Sequence, residues 1–188
     1  PGLPTGGKSF GGFLAKLDFD QFDRLYVPSK GWSAHGSYFY AAGDGYDKAE
    51  LDLRAAERFG DYILQGRVRG AGSFTGTLPV YDAVALGGFL NLSGFARAQI
   101  VGESLAYGSV RAEKIVGQLP LGLRGDMRVG VALEAGKVNG RYTETNLDGW
   151  QNSVTAYVGG ETPLGMVYFG YGYSSNGPGN YYLFIGTP

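Results

Sequence analysis

Apolar and polar residues alternate with period two along most of this chain, as strands do when their two faces meet different surroundings. In the first run Phe13, Ala15, Leu17 and Phe19 share one face, while Leu14, Lys16, Asp18 and Asp20 share the other. The second, from 32 to about 42, sets Trp32, Ala34, Gly36, Tyr38 and Tyr40 against Ser33, His35, Ser37 and Phe39. The third is the cleanest: Ala49, Leu51, Leu53 and Ala55 alternate with Lys48, Glu50, Asp52 and Arg54. In the fourth, Tyr62, Leu64, Gly66 and Val68 oppose Ile63, Gln65, Arg67 and Arg69. After a break the pattern resumes with Ala106, Gly108, Val110 and Ala112 against Tyr107, Ser109, Arg111 and Glu113. Next, Leu123, Met127, Val129, Val131 and Leu133 oppose Arg124, Asp126, Arg128 and Glu134. Three more strands are predicted near 150–159, 165–174 and 180–187, poorer in charge and richer in Tyr, Phe and Gly, which makes nine.

A soluble sandwich also has one polar face, but it buries bulky Ile, Leu and Phe on the other. Here the apolar face is thin, with many Gly and Ala, and the opposite face carries charges of both signs. Lipid tolerates the first, and a wet barrel lumen tolerates the second. Aromatic residues gather near strand ends (Tyr26, Trp32, Tyr38, Tyr40, Tyr46, Tyr62, Trp150, Tyr181, Tyr182), as interfacial girdles require. The pattern predicts an all-β, antiparallel transmembrane β-barrel of the bacterial outer membrane. Such barrels have even strand numbers, so nine strands imply that residues 1–188 are the C-terminal portion of a larger barrel. The alternative is a complete eight-stranded one.

Composition agrees with that picture. Glycine contributes 34 of 188 residues, yet 14 Tyr, 11 Phe and 2 Trp rule out a disordered linker. Mean hydropathy is −0.11, and no apolar run approaches the ~20 residues of a spanning helix. Net charge is −1, with no basic stripe for nucleic acid. With no Cys and a single His, thiolate and ordinary zinc sites are excluded, and neither a metal nor a cofactor is expected.

Between the fourth and fifth strands lies a stretch at about 73–102 that is too long for a hairpin turn. Its sequence from Leu78 to Phe95 is apolar and would be a liability in water. Folded into a polar lumen it would act as a plug or lid.

Here the chain resembles the Omp85 superfamily, also called the surface-antigen or D15 family. In that family a long loop returns into the barrel and carries a Val-Arg-Gly-Phe/Tyr tip after a Leu-Gly-Gly segment. The corresponding residues are Leu86-Gly87-Gly88 and Leu92-Ser93-Gly94-Phe95, with serine in place of the arginine. That departure looks like the barrel of patatin-like phospholipase autotransporters, the type V secretion subtype d. Leu133-Glu134-Ala135-Gly136 is similar to the family's acidic strand motif. Other family-like pieces are Leu17-Asp18-Phe19-Asp20, Val27-Pro28-Ser29-Lys30-Gly31, Thr162-Pro163-Leu164-Gly165 and the closing Tyr182-Leu183-Phe184-Ile185-Gly186-Thr187-Pro188. Barrels of this kind end in an aromatic residue, so a terminal Phe is expected beyond Pro188. The resemblance implies the C-terminal half or so of a sixteen-strand barrel. It also implies that the loop tip lies near Glu134 and Gly136, and the apolar loop, placed in the lumen, is expected against the strand faces carrying Arg128 and Arg111 as well. By the same resemblance the barrel translocates or anchors an N-terminal passenger in cis, a patatin-like lipase. Its other expected partners are outer-membrane lipid and lipopolysaccharide, the barrel-assembly machinery and, as an open alternative, a second copy. The competing function is a complete small structural or adhesive barrel with no secretion role.

Enzymatic readings are weaker. Gly31-Trp32-Ser33-Ala34-His35 lacks the second glycine of a nucleophile elbow. Ser33 and His35, two apart on one strand, stand about 7 Å from each other, beyond hydrogen-bond reach. Gly170-Tyr171-Gly172-Tyr173 and Ser175-Asn176-Gly177-Pro178-Gly179 precede no helix that could cradle phosphate. No catalytic constellation is expected in this segment. Arg67, Arg69, Arg111, Arg124 and Arg128, facing Glu50, Asp52, Glu113, Asp126 and Glu134, read as a mutually neutralised lumen or as a polar path for a translocating chain.

Overall fold

The computed structural model describes residues 11–24, 28–43, 45–118, 125–162 and 165–186. Strands β1 (Gly12–Asp20), β2 (Gly31–Ala41), β3 (Tyr46–Phe59) and β4 (Tyr62–Gly72) follow one another. A long connection then carries a 3-10 turn (Val80–Asp82) and two short strands, β5 (Val84–Leu86) and β6 (Ile100–Gly102). After it come β7 (Ser104–Gln118), β8 (Asp126–Asn139), β9 (Gln151–Thr162), β10 (Gly165–Tyr173) and β11 (Asn180–Ile185). All main strands pair antiparallel with their sequence neighbours in one nine-stranded sheet, with β1 and β11 at its edges. The β5–β6 ribbon is separate. The nine strands match the nine predicted from alternation; the ribbon was not predicted, because three residues are too few for period two to show. Tyr26, Val27, Leu123, Arg124, Pro163, Leu164, Thr187 and Pro188 lie outside the described residues.

The register explains why the alternation is so regular. Directly opposed residues in an antiparallel pair share a face. Leu53 stands opposite Ala34 and Val68, Val110 opposite Leu133, Leu133 opposite Val154, Val158 opposite Phe169, and Phe169 opposite Leu183. One face is thus a continuous apolar surface; Leu133 is 63% exposed and Val131 53%. A water-soluble monomer seldom presents so extended an apolar face. The other face carries Asp52, Arg67, Glu113, Arg128, Glu134 and Thr155, of which the last four are buried.

The connection of residues 73–103 covers that polar face. It forms an apolar core with the strands, in which Leu78, Leu92 and Phe95 are fully buried beside Leu86, Tyr107 and Val138. Asp47 holds its beginning, accepting from the amides of Phe74 and Thr75 and the hydroxyls of Ser73 and Thr75. Asp82 fastens the 3-10 turn to β3 by accepting from Lys48 Nζ (2.8 Å) and Tyr46 Oη (3.1 Å). From the opposite end the β1–β2 connection also turns inward. Its Ser29 Oγ accepts from Arg128 Nη2 (3.3 Å), and the Pro28 carbonyl accepts from Gln65. Although burial works against its charge, the Ser29 and Lys30 amides hold the Asp23 carboxyl below the usual carboxylate range, which sets this turn.

Two of the proposed girdle aromatics do not face outward. Tyr46 and Tyr182 point to the covered face, because their hydroxyls have acceptors there: Asp82 for the first, the Ser93 and Phe95 carbonyls for the second. Trp32, Tyr38, Tyr40, Tyr62, Trp150 and Tyr181 are exposed.

Candidate functional site: a loop latched on a buried carboxylate

The hairpin excursion of residues 87–99 is tight before it touches the sheet. Gly88 N donates to Phe95 O (3.0 Å), Asn91 N to Gly88 O (3.0 Å) and Phe95 N to Leu92 O (3.1 Å). Gly87 has φ +115°, and a methyl there would collide with the Ala96 carbonyl, so only glycine fits. Leu90 (φ 52°) and Leu92 (φ 76°) are also left-handed, which costs roughly 1–2 kcal/mol each. Strain of that kind persists only where the surroundings over-determine it.

Glu134, on β8 and 3% exposed, supplies much of that determination. Oε1 accepts from Leu92 N (2.9 Å) and Tyr107 Oη (2.9 Å); Oε2 accepts from Ser93 N (3.0 Å) and Thr155 Oγ1 (2.8 Å). Four donors disperse the buried charge, and hydrogen bonds to a charged group contribute roughly 1.5–3 kcal/mol each. The Tyr107 hydroxyl is also within 3.0 Å of the Leu90 carbonyl. Ser93 does not bring its side chain to Glu134. Its Oγ accepts from Leu90 N (2.8 Å) and so closes the turn from within. Gly94 N donates to Ser153 Oγ (2.9 Å) on β9. Gly172 on β10 lies directly under Ser93, where any side chain would strike the Ser93 carbonyl.

Among the other residues expected at the site, Leu86 packs over Gly136, where an added Cβ would meet its Cδ1 at 2.7 Å. Arg128 and Arg111 do not join the tip, contrary to the expectation that they face it. Arg128 lies six residues from Glu134 along β8, about 20 Å at strand rise. It pairs instead with Glu113 (3.1 Å), both groups being almost wholly buried. Glu113 also accepts from Tyr157 Oη (2.8 Å) and Gln65 Nε2 (3.3 Å), and Arg111 donates to Gln65. Glu134 is already satisfied by four neutral donors, and the arginines engage Glu113 and Gln65 instead. Nearer the β1 edge, Arg67 pairs with Asp52 at 2.6 Å.

No protein-family model matches the sequence, and no curated protein matches it either. Solved structures do. The chain superposes on BamA from Haemophilus ducreyi, in a crystal structure lacking POTRA domains 1–3, with a TM-score of 0.73. Sequence identity is 13%, over 93% of this chain and 41% of that one. The likeness is one of fold. The nine-stranded antiparallel sheet of this chain thus has the fold of part of the BamA barrel, and the chain spans well under half of the BamA chain it matches.

Several residues that hold the loop were not singled out from sequence. Phe89 is the centre of an aromatic cluster, with ring centroids of Tyr157, Tyr168, Tyr182 and Phe184 at 5.4–5.7 Å. All four of these rings belong to the three Tyr- and Gly-rich final strands, where alternation gave the face but not the partner. The inward glycines of β10 receive the loop itself: Gly170 lies under Phe89 and Gly172 under Ser93. Ser33 and His35 form no hydrogen bond with each other among the described residues. His35 Nδ1 contacts Asp18 Oδ1 (2.8 Å), and Ser33 Oγ has no hydrogen-bond partner among the described residues. Among the described residues no cluster of three or more His, Asp or Glu could hold a metal, and no helix is long and apolar enough to cross a membrane.

Proposed function

We propose that this chain is part of the barrel of an Omp85-type outer-membrane protein, and that it translocates or anchors a passenger domain in cis. The observation that carries the reading is the two-sided sheet. One face is apolar and unpartnered, and the other is polar and sealed by a long loop latched at Glu134. On this reading the apolar face meets lipid and the loop fills the lumen. The end bearing the connections 73–103, 140–150 and 174–179 faces outward from the cell, since outer-membrane barrels keep short turns on the periplasmic side. The motif resemblance and the BamA-like fold support the same family. Serine in the place of the family's arginine supports the patatin-like autotransporter subtype, because the latch here uses backbone amides and needs no cation. Outer-membrane lipid and the barrel-assembly machinery are the expected partners of such a barrel.

Spin labels at Leu51, Leu53, Val129, Val131 and Leu133 test the reading. In reconstituted bilayers they should be relaxed by oxygen and lipid-soluble quenchers. Relaxation by aqueous reagents at all five would mean that the apolar face does not contact lipid, and the membrane reading would fall.

A further inference from the structure

The outward face of β8 is aliphatic through Val129, Val131 and Leu133, passes Ala135, and ends on a lysine, Lys137. A second outward lysine, Lys114 on β7, stands opposite Val129 near the far end of the stripe. The two lie about 26 Å apart along the strands, close to the height of a barrel's ~25 Å apolar band. They are not equivalent. Lys114 lies over the Tyr62 ring, 5.3 Å from its centroid. Lys137 has no ion pair among the described residues. It opens instead onto a cleft of about 370 Å³ whose lining includes Asn139, Arg141, Thr145 and Asp148.

Arg141 is the second cation of this cleft, and it is positioned rather than free. Its Nη1 donates to the Val138 carbonyl (3.4 Å), and its side chain is only 14% exposed. Its one carboxylate partner among the described residues, Asp148 at 3.3 Å, is fully exposed. A pair with one partner wholly in water is weak and readily displaced. The other nearby acid, Glu103, sits behind Gly140, bound to Tyr142 Oη (3.3 Å), and does not line the cleft. Trp150 stands exposed immediately before Gln151, the partner of Gly136, as an interfacial aromatic would. A guanidinium with a replaceable anion, an unpaired ammonium, an amide and a hydroxyl converge at the level where an apolar surface ends.

We propose that this cleft binds the phosphate group of an outer-leaflet glycolipid, with Arg141 and Lys137 as the cations and Asn139 and Thr145 as neutral donors. Arginine can engage phosphate oxygens in a bidentate fork, and lysine adds a point charge. The inference rests on the membrane reading above, because only an embedded sheet brings this rim level with lipid headgroups.

Native mass spectrometry of the full-length protein folded in detergent tests it, with bisphosphorylated lipid A, dephosphorylated lipid A and inorganic phosphate as probes. The phosphorylated lipid should be retained at least tenfold more than the dephosphorylated one. The double variant Lys137→Gln/Arg141→Gln should abolish that preference, while Lys137→Arg keeps it. Equal retention of both lipids, or undiminished preference in the double variant, would overturn the proposal. Inorganic phosphate displacing the lipid at equal concentration would overturn the lipid as the source of the phosphate. Heat-modifiable migration and spin-label accessibility, recorded on the same samples, separate the failures. A protein that never inserts defeats both readings, whereas one that inserts without discriminating defeats only this one.

Discussion

Glu134 accepts from two loop amides and two strand hydroxyls, so its substitution acts on the loop and the barrel wall together. Glu134→Gln turns one acceptor into a donor facing donors and leaves a loop amide unsatisfied. The two side chains at the tip differ in consequence. Phe95 is fully buried in the apolar cluster, and Phe95→Ala should cost about 3–5 kcal/mol of loop attachment. Ser93→Ala loses only the bond from Leu90 N, about 1 kcal/mol. Limited proteolysis of the folded barrel should therefore rank loop cleavage as Phe95→Ala above Ser93→Ala, with Glu134→Gln also above wild type. Equal cleavage in Phe95→Ala and wild type would show that apolar packing does not retain the tip.

At the scale of elements, the docking of the loop depends on β10, whose two faces do different work. Tyr171 and Tyr173 point outward, and Gly170 and Gly172 point toward the loop. Gly172→Ala places a methyl against the Ser93 carbonyl, an overpacking that costs roughly 1–3 kcal/mol. It should release the tip while leaving the strand pairing intact. The readout is a disulfide between cysteines at Ser93 and Thr155, whose amide and hydroxyl share one Glu134 oxygen. The crosslink should form in the otherwise unaltered barrel and weaken markedly with Gly172→Ala. A crosslink of undiminished yield would mean that β10 does not set the loop's position. The glycine run was legible as a strand from Gly-Tyr alternation. That its glycines receive a loop about eighty residues earlier in the chain was not, because close approach of two backbones leaves no mark in local periodicity.

At the scale of the whole molecule, the sheet has two edges, β1 and β11, neither paired beyond its one neighbour in the described sheet. Unsatisfied edge amides and carbonyls are not tolerated in hydrocarbon. On the membrane reading proposed above, strands beyond these nine, from the same polypeptide or from a second copy, are expected to pair with the edges. Native mass spectrometry of the 188-residue segment in detergent should show no stable, heat-modifiable monomer. Such a monomer would instead favour a small barrel closed from this segment alone.

The strand faces, the membrane-compatible alternation and the outstanding length of one connection follow from the sequence itself. Side-chain period in a strand is a local property, and lipid and lumen impose opposite demands on successive residues. The apolar run from Leu78 to Phe95 likewise announced that this connection needs cover. Only the tertiary structure decided which residues answer it. Glu134 binds amides while Glu113 takes Arg128, Phe89 gathers rings from three later strands, and Tyr46 and Tyr182 turn from the girdle to the loop. These choices depend on residues far apart in sequence competing for a few buried donors and acceptors, and that competition exists only once the loop and the sheet occupy the same space.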